Sequence, residues 1–251
     1  DALIGERPLT RVRFERRISL IRDIPGLTLK SIDSAAGDDG AVALSVAPLQ
    51  KRRELSVAFN NRGTRSLGDG QFEATGNLFG VLSEGDQFSL TGASASDFNR
   101  YVYAGAAYTR PLGFNGLGLG VSAGYLETRP KGSTLHGTAK VAGLTLSYPL
   151  VRAFDENLYL TVSFDGLDSD NATFGNLIAS ERTRALRSSL RYAKIKQKRT
   201  IAAGFTLSKG LAFAGARADP QSADISFFKL NVDGSLSQTF ADRFFVRANM
   251  A

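Results

Sequence analysis

From Glu54 onward the chain alternates apolar and polar residues with a period of two. Leu55, Val57 and Phe59 are out of phase with Ser56 and Ala58, and Phe88 and Leu90 with Gln87 and Ser89. Leu117, Leu119 and Val121 alternate with Gly118, Gly120 and Ser122. The cleanest run sets Leu158, Leu160, Val162 and Phe164 against Tyr159, Thr161, Ser163 and Asp165. Ile201, Ala203, Phe205 and Leu207 follow, then Phe228, Leu230 and Val232 against Lys229, Asn231 and Asp233. Successive side chains of a strand point to opposite sides, so each run predicts a strand with one apolar and one polar face. About eleven such strands are expected, the last ending near Met250.

The first fifty residues follow a different rule. Across PLTRVRFERRISLIRD (residues 8–23), Leu9, Val12, Ile18 and Ile21 fall near helical spacing. Pro8 suits a first helical turn and Pro25-Gly26 ends the element. Two strand-like stretches, 27–34 and 41–49, are joined by the turn-forming Gly37-Asp38-Asp39-Gly40. A helix and a hairpin are too few to bury a core alone. Residues 1–50 are therefore expected to be the C-terminal part of an α+β module, and residues 51–251 a second unit.

Alternation fits a soluble β-sandwich as well as a membrane barrel, and three features favour the barrel. The strands reach about ten residues, the length a tilted strand needs to cross a bilayer. The polar phase carries Glu73, Lys140, Asp165, Arg187, Arg191 and Lys229, which a sandwich core would have to exclude or pair and a wet lumen accepts. Finally, long polar connections (60–70, 128–138, 167–179, 209–222) interleave with shorter ones (79–85, 111–116, 152–157, 194–199, 240–243), and only the link at 96–99 breaks the rhythm. Long loops on one side and short turns on the other are the habit of outer-membrane barrels. Bacterial barrels close on an even number of strands, so eleven imply a chain that continues at both ends.

Composition narrows the chemistry. There is no cysteine, which removes disulfides, thiolate metal sites and cysteine nucleophiles. No run of about 18 apolar residues offers a membrane-spanning helix, and no secretory leader opens the chain. Glycine numbers 26 and phenylalanine 17, consistent with many short strands. The net charge of +7 raises nucleic acid as a partner. The charges are spread along alternating segments rather than gathered in a patch, so none is expected.

Three stretches then resemble a known family. IRDIPGLTLKSI (21–32) is similar to the end of a polypeptide-transport-associated (POTRA) domain. NNRGTRSLGDGQFEATGNL (60–78) with GDQFSLTG (85–92) looks like the first barrel strands of two-partner secretion transporters of the haemolysin-activator type. LSYPLVRAFDENLYLTVSFD (146–165) resembles their middle strands. The resemblance implies a mainly β protein: an antiparallel transmembrane barrel of about sixteen strands, preceded by periplasmic POTRA domains. It implies an outer-membrane pore, used without nucleotide or cofactor, that exports a partner exoprotein (an adhesin, haemolysin or contact-dependent toxin). The expected partners are that exoprotein and outer-membrane lipid, with a monomer favoured. An outer-membrane assembly barrel and a passive porin are the competing readings, and an enzyme is not expected. The family's Val-Arg-Gly-Tyr-like loop motif is absent from these residues and is expected beyond Ala251.

The candidate functional residues are accordingly lumen-lining ones: Glu73, Asp165, Arg187, Arg191 and Lys229. Arg187 and Arg191 belong to a basic run from Arg182 to Arg199, out of phase with Leu186 and Leu190. His136, the single histidine, is expected in a loop beside Ser133 with no third group to complete a triad. Gly116-Leu117-Gly118-Leu119-Gly120 has no helix after it and reads as strand rather than phosphate cradle. Arg11, Arg13, Arg16 and Arg17 are expected on a solvated helix face.

Overall fold

The structure is a computed structural model that describes residues 9–36, 42–218, 224–240 and 244–250. One helix, α1 (Arg11–Arg22), opens it. Thr10 caps its start, with Oγ1 accepting the Arg13 N–H at 3.4 Å. Asp23 closes it, and Gly26 at φ +73° turns the chain away. Helix α1 buries Glu15, Ile18 and Ser19. It leads into a separate antiparallel pair, β1 (Leu27–Ala36) and β2 (Val42–Gln50). The predicted helix and hairpin are thus both present, while Pro8 and the Gly37–Gly40 turn lie outside the described residues.

Eleven further strands form one antiparallel sheet in chain order: β3 (Arg53–Asn60), β4 (Gln71–Phe79), β5 (Gln87–Ala95), β6 (Tyr101–Leu112), β7 (Leu117–Thr128), β8 (Leu135–Arg152), β9 (Glu156–Thr173), β10 (Asn176–Lys196), β11 (Arg199–Gly210), β12 (Phe228–Phe240) and β13 (Phe244–Met250). Every strand pairs with its sequence neighbour, and no ladder joins β3 to β13 among the described residues, so the sheet is open here.

The alternation sorts the faces as the period-two pattern requires. Leu55, Val57 and Phe59 share a face with their partners Gly76, Ala74 and Phe72, while Ser56 and Ala58 face the other way with Thr75 and Glu73. The same face continues through Leu90, Val121, Leu144, Val162, Leu186, Phe205 and Val232. It is open: Leu55 is 74% exposed and Leu230 51%. Buried apolar residues are few among those described, namely Ile18, Phe79, Ala95 and Ala185. A soluble sandwich would cover such a face. An apolar face left bare across a whole sheet calls for an apolar solvent.

Strand lengths give a second measure. On β9 the apolar face runs from Leu158 to Phe164 between the charged Glu156 and Asp168. Those flanking charges are about 40 Å apart along the strand at about 3.3 Å per residue. A tilt of about 40° brings this to about 30 Å, the thickness of a bilayer's hydrocarbon core.

Three sequence expectations need correction. Residues 167–179 are not a loop: β9 and β10 stay paired up to Thr173 and Asn176, joined only by Phe174 (φ 50°) and Gly175 (φ 78°). Positive φ at both central residues is the type I′ geometry that suits strand twist. The Asp, Ser and Asn content that suggests a loop reflects strands continuing past the apolar band into water. Likewise β8 begins at Leu135, so His136 is a strand residue and the connection is shorter than 128–138. Lys140 is on the apolar phase rather than the polar one, since it pairs with Tyr125 and Asp168 in the phase of Leu144. Ser222 and residues 241–243 lie outside the described residues.

Candidate functional site

The polar face carries the charge. Asp165 (β9), Arg187 and Arg191 (β10), Lys229 (β12) and Glu73 (β4) all occupy it by register. Arg187 stands opposite Ser163 and Ser208 in a cross-strand row that ends at Lys229. Its Nη1 makes an ion pair with Asp165 Oδ2, diagonally across the ladder. Two rows nearer the short turns, Arg191 reaches over β11 to Asp233, with Nη1 2.9 Å from Oδ2 and 3.1 Å from Oδ1. The residue between them in register is Gly204. A Cβ there would stand 2.4 Å from Asp233 Oδ1 and 2.6 Å from Arg191 Nη1, so only glycine lets this pair close across a strand.

Four of the five residues expected to act together are thus gathered on β9–β12. Glu73 lies apart, five strands from Asp165, opposite Ala58 and Ala93. Asp233 completes the group and was missed as a candidate, although it shares the phase of Lys229 and Asn231. Much of the rest of this face is small or hydroxylic, including Thr75, Ser89, Thr91, Ser122, Thr145 and Ser147, with Val141 and Leu167 as apolar exceptions. The Arg191 and Asp233 side chains are 59% and 45% exposed. Such a wet pair adds no more than about 1 kcal/mol of stability. Its effect is to fix charge of both signs along a hydrated wall.

A second cluster joins α1 to the short-turn end of the sheet. Arg16 Nη1 donates to the Pro149 carbonyl (3.0 Å) and its Nη2 to the Asn115 carbonyl (3.1 Å). Arg17 donates to the Phe114 carbonyl (3.1 Å). Arg152 makes a bidentate pair with Asp23, Nε to Oδ2 at 2.7 Å and Nη2 to Oδ1 at 2.6 Å, and Tyr159 Oη donates to the same carboxylate at 3.3 Å. Phe14 packs edge-on against Phe154, with centroids 6.3 Å apart. Arg16 and Arg17 therefore depart from the expected solvated face. Their partners lie about a hundred residues away in sequence, where no local pattern could reveal them. Glu15 adds to the seam. Ion pairing with Arg11 holds its carboxyl below the ordinary range against the opposing cost of burial, and the Phe154 N–H donates to it at 3.3 Å.

The single histidine and its neighbouring serine do not form a catalytic pair. His136 Nε2 is 2.9 Å from Glu127 Oε1, while Ser133 Oγ accepts the Leu135 N–H at 3.0 Å, so serine and histidine are not paired with each other. Among the described residues no three potential ligands gather to hold a metal, and no helix is long and apolar enough to cross a membrane.

Residues 40–249 match the model of the family described as haemolysin secretion/activation protein ShlB/FhaC/HecB. The chain belongs to this family. Solved structures share the fold. CdiB from Escherichia coli is similar at a TM-score of 0.76 and 19% identity, over 93% of this chain and 46% of that one. CdiB from Acinetobacter baumannii is similar at 0.52 and 12%, over 88% and 53%. The chain therefore spans about half the length of these structures. No curated protein matches the sequence.

Proposed function

We propose that this chain forms the first part of an outer-membrane pore that exports a partner exoprotein by two-partner secretion. The observation that carries the reading is the division of one eleven-stranded sheet into a bare apolar face and a charged, hydroxyl-rich face, in a member of the haemolysin secretion/activation family. The apolar face meets lipid. The polar face, with Glu73, Asp165, Arg187, Arg191 and Lys229, lines the conduit, where mixed fixed charge keeps the wall wet and leaves an extended chain little apolar surface on which to stick. No nucleotide or cofactor takes part. Residues 1–50 end a POTRA domain on the periplasmic side. What supports this placement is that α1 contacts the same sheet end as the short turns, 113–116 and 153–155.

The test is secretion by the full-length protein. Co-produced with its exoprotein in an outer membrane, it should deliver that exoprotein to the medium, and its deletion should leave the exoprotein in the periplasm. Equal export without it would overturn the reading. A general loss of other outer-membrane proteins on deletion would point instead to an assembly barrel.

A further inference from the structure

The apolar face ends in a belt of charge at its long-connection end. Leu144, Phe164 and Leu186 form one cross-strand row on β8, β9 and β10, and two rows on stand Lys140, Asp168 and Arg182, with Tyr125 of β7 beside Lys140. Arg184 lies between, its Nη1 2.7 Å from Asp168 Oδ1, donating to the carbonyls of Thr183 (2.9 Å) and Leu167 (3.3 Å). Arg182 Nε is 3.9 Å from Asp168 Oδ2. Arg184 is committed and mostly covered, whereas Lys140 is exposed and the Arg182 side chain 42% exposed. One row further, Asp170 accepts from Ser180, to which Arg217 donates in turn. Four cations (Lys140, Arg182, Arg184 and Arg217) thus meet two carboxylates (Asp168 and Asp170), which leaves two positive charges unbalanced on the face that otherwise meets lipid.

A groove lies directly beneath. After β11 the chain makes a short excursion and returns to pair Arg217 with Arg182, through backbone bonds of 2.7 and 2.9 Å. The excursion lays the Phe213 ring on Phe164, centroids 5.5 Å apart, with Ala214 at φ 51°. Lys140, Leu144, Phe164, Asp168, Arg184 and Phe213 line the resulting cavity of about 430 Å³. Its upper rim is cationic and its floor apolar. Asp168 lies about 13 Å along the strand above Phe164 at about 3.3 Å per residue, so the charges sit where headgroups begin and the floor where acyl chains lie.

We propose that this belt and groove bind a lipid carrying a phosphomonoester headgroup in the outer leaflet. Lys140 and Arg182 take the phosphate oxygens, and an acyl chain runs over Leu144, Phe164 and Phe213. Two unbalanced cations match a dianionic phosphate, and guanidinium and ammonium groups are the usual partners of such headgroups. The inference rests on the barrel reading above, and the experiment separates the two.

The full-length protein is inserted into phosphatidylcholine vesicles, plain or doped with phosphatidic acid, or doped with diacylglycerol, or plain with free inorganic phosphate added. Its thermal unfolding midpoint is read from electrophoretic mobility. The midpoint should rise with phosphatidic acid alone, and K140Q/R182Q should abolish the rise. An equal rise with diacylglycerol or free phosphate would overturn the proposal, as would a full rise in the doubly substituted protein. Should that protein fail to insert, K140Q alone decides: loss of at least half the rise is expected, and an undiminished rise overturns the proposal. Failure of the unsubstituted protein to insert into plain vesicles would strike the barrel reading instead.

Discussion

Single residues set how closely the helix and the sheet approach. Gly116 has φ +88°, and a Cβ there would come within 2.5 Å of Leu20 Cδ2 and 2.6 Å of Pro149 Cγ. Both backbone strain and overlap oppose any side chain, so Gly116→Ala should cost about 1–3 kcal/mol, seen as a lower urea midpoint for the full-length protein. Asp86 governs the neighbouring turn. It is buried, which would raise its pKa, yet donors from the Leu82 N–H, Tyr108 hydroxyl, Val81 N–H and Ser83 N–H outweigh burial and bring it to about 2. A carboxyl depressed in the folded state and near 4 in the unfolded chain stabilises above about pH 4, and that contribution is lost as pH falls toward 2. Asp86→Asn should lower the urea midpoint at neutral pH by an amount worth about 1–3 kcal/mol. It should also flatten the pH dependence between 4 and 2.

At the scale of elements, helix α1 is fixed to the sheet by side chains from β8 and β9. Removing either Arg152 or Asp23 leaves the other charge without its bidentate partner. A double-mutant cycle with Arg152→Ala and Asp23→Ala should therefore show coupling of about 1–3 kcal/mol. Protease cleavage near residues 23–26 should speed up in each single variant and no further in the double. A coupling near zero would mean that the carbonyl bonds of Arg16 and Arg17 hold the helix unaided. None of this seam was legible in the sequence. The helix and its stop at Pro25-Gly26 were, because caps and periodicity are local signals. The strands were too, because alternation survives tilt and length. The β9–β10 tip was misread because a strand standing in water is polar on both faces, and composition then mimics a loop. Lys140 was misplaced because residue type was allowed to outweigh phase: it lies four residues from Leu144 and so shares its face.

Over the whole molecule, the polar face is a charge pattern more than a site. The phase of Asp165, Arg187, Arg191 and Lys229 followed from alternation. Their pairing did not, since the Arg191–Asp233 contact depends on Gly204 in a strand between them. If this face lines the conduit, R187Q/R191Q would leave Asp165 and Asp233 without their ion-pair partners and turn the face net negative there. The full-length protein in a planar bilayer should then shift its zero-current potential toward cation selectivity, with secretion measured in parallel. An unchanged potential would place these arginines away from the ion path.

If the long-connection end faces outward as proposed, the paired extension of β9 and β10 beyond the apolar band has a consequence for observing this protein from outside the cell. A ladder kept intact to Thr173 and Asn176, closed by a two-residue turn, holds its tip in register with the wall below. A dye or a short antibody tag inserted between Phe174 and Gly175 would therefore move as the wall moves, and serve as a surveying mark for the orientation of the sheet.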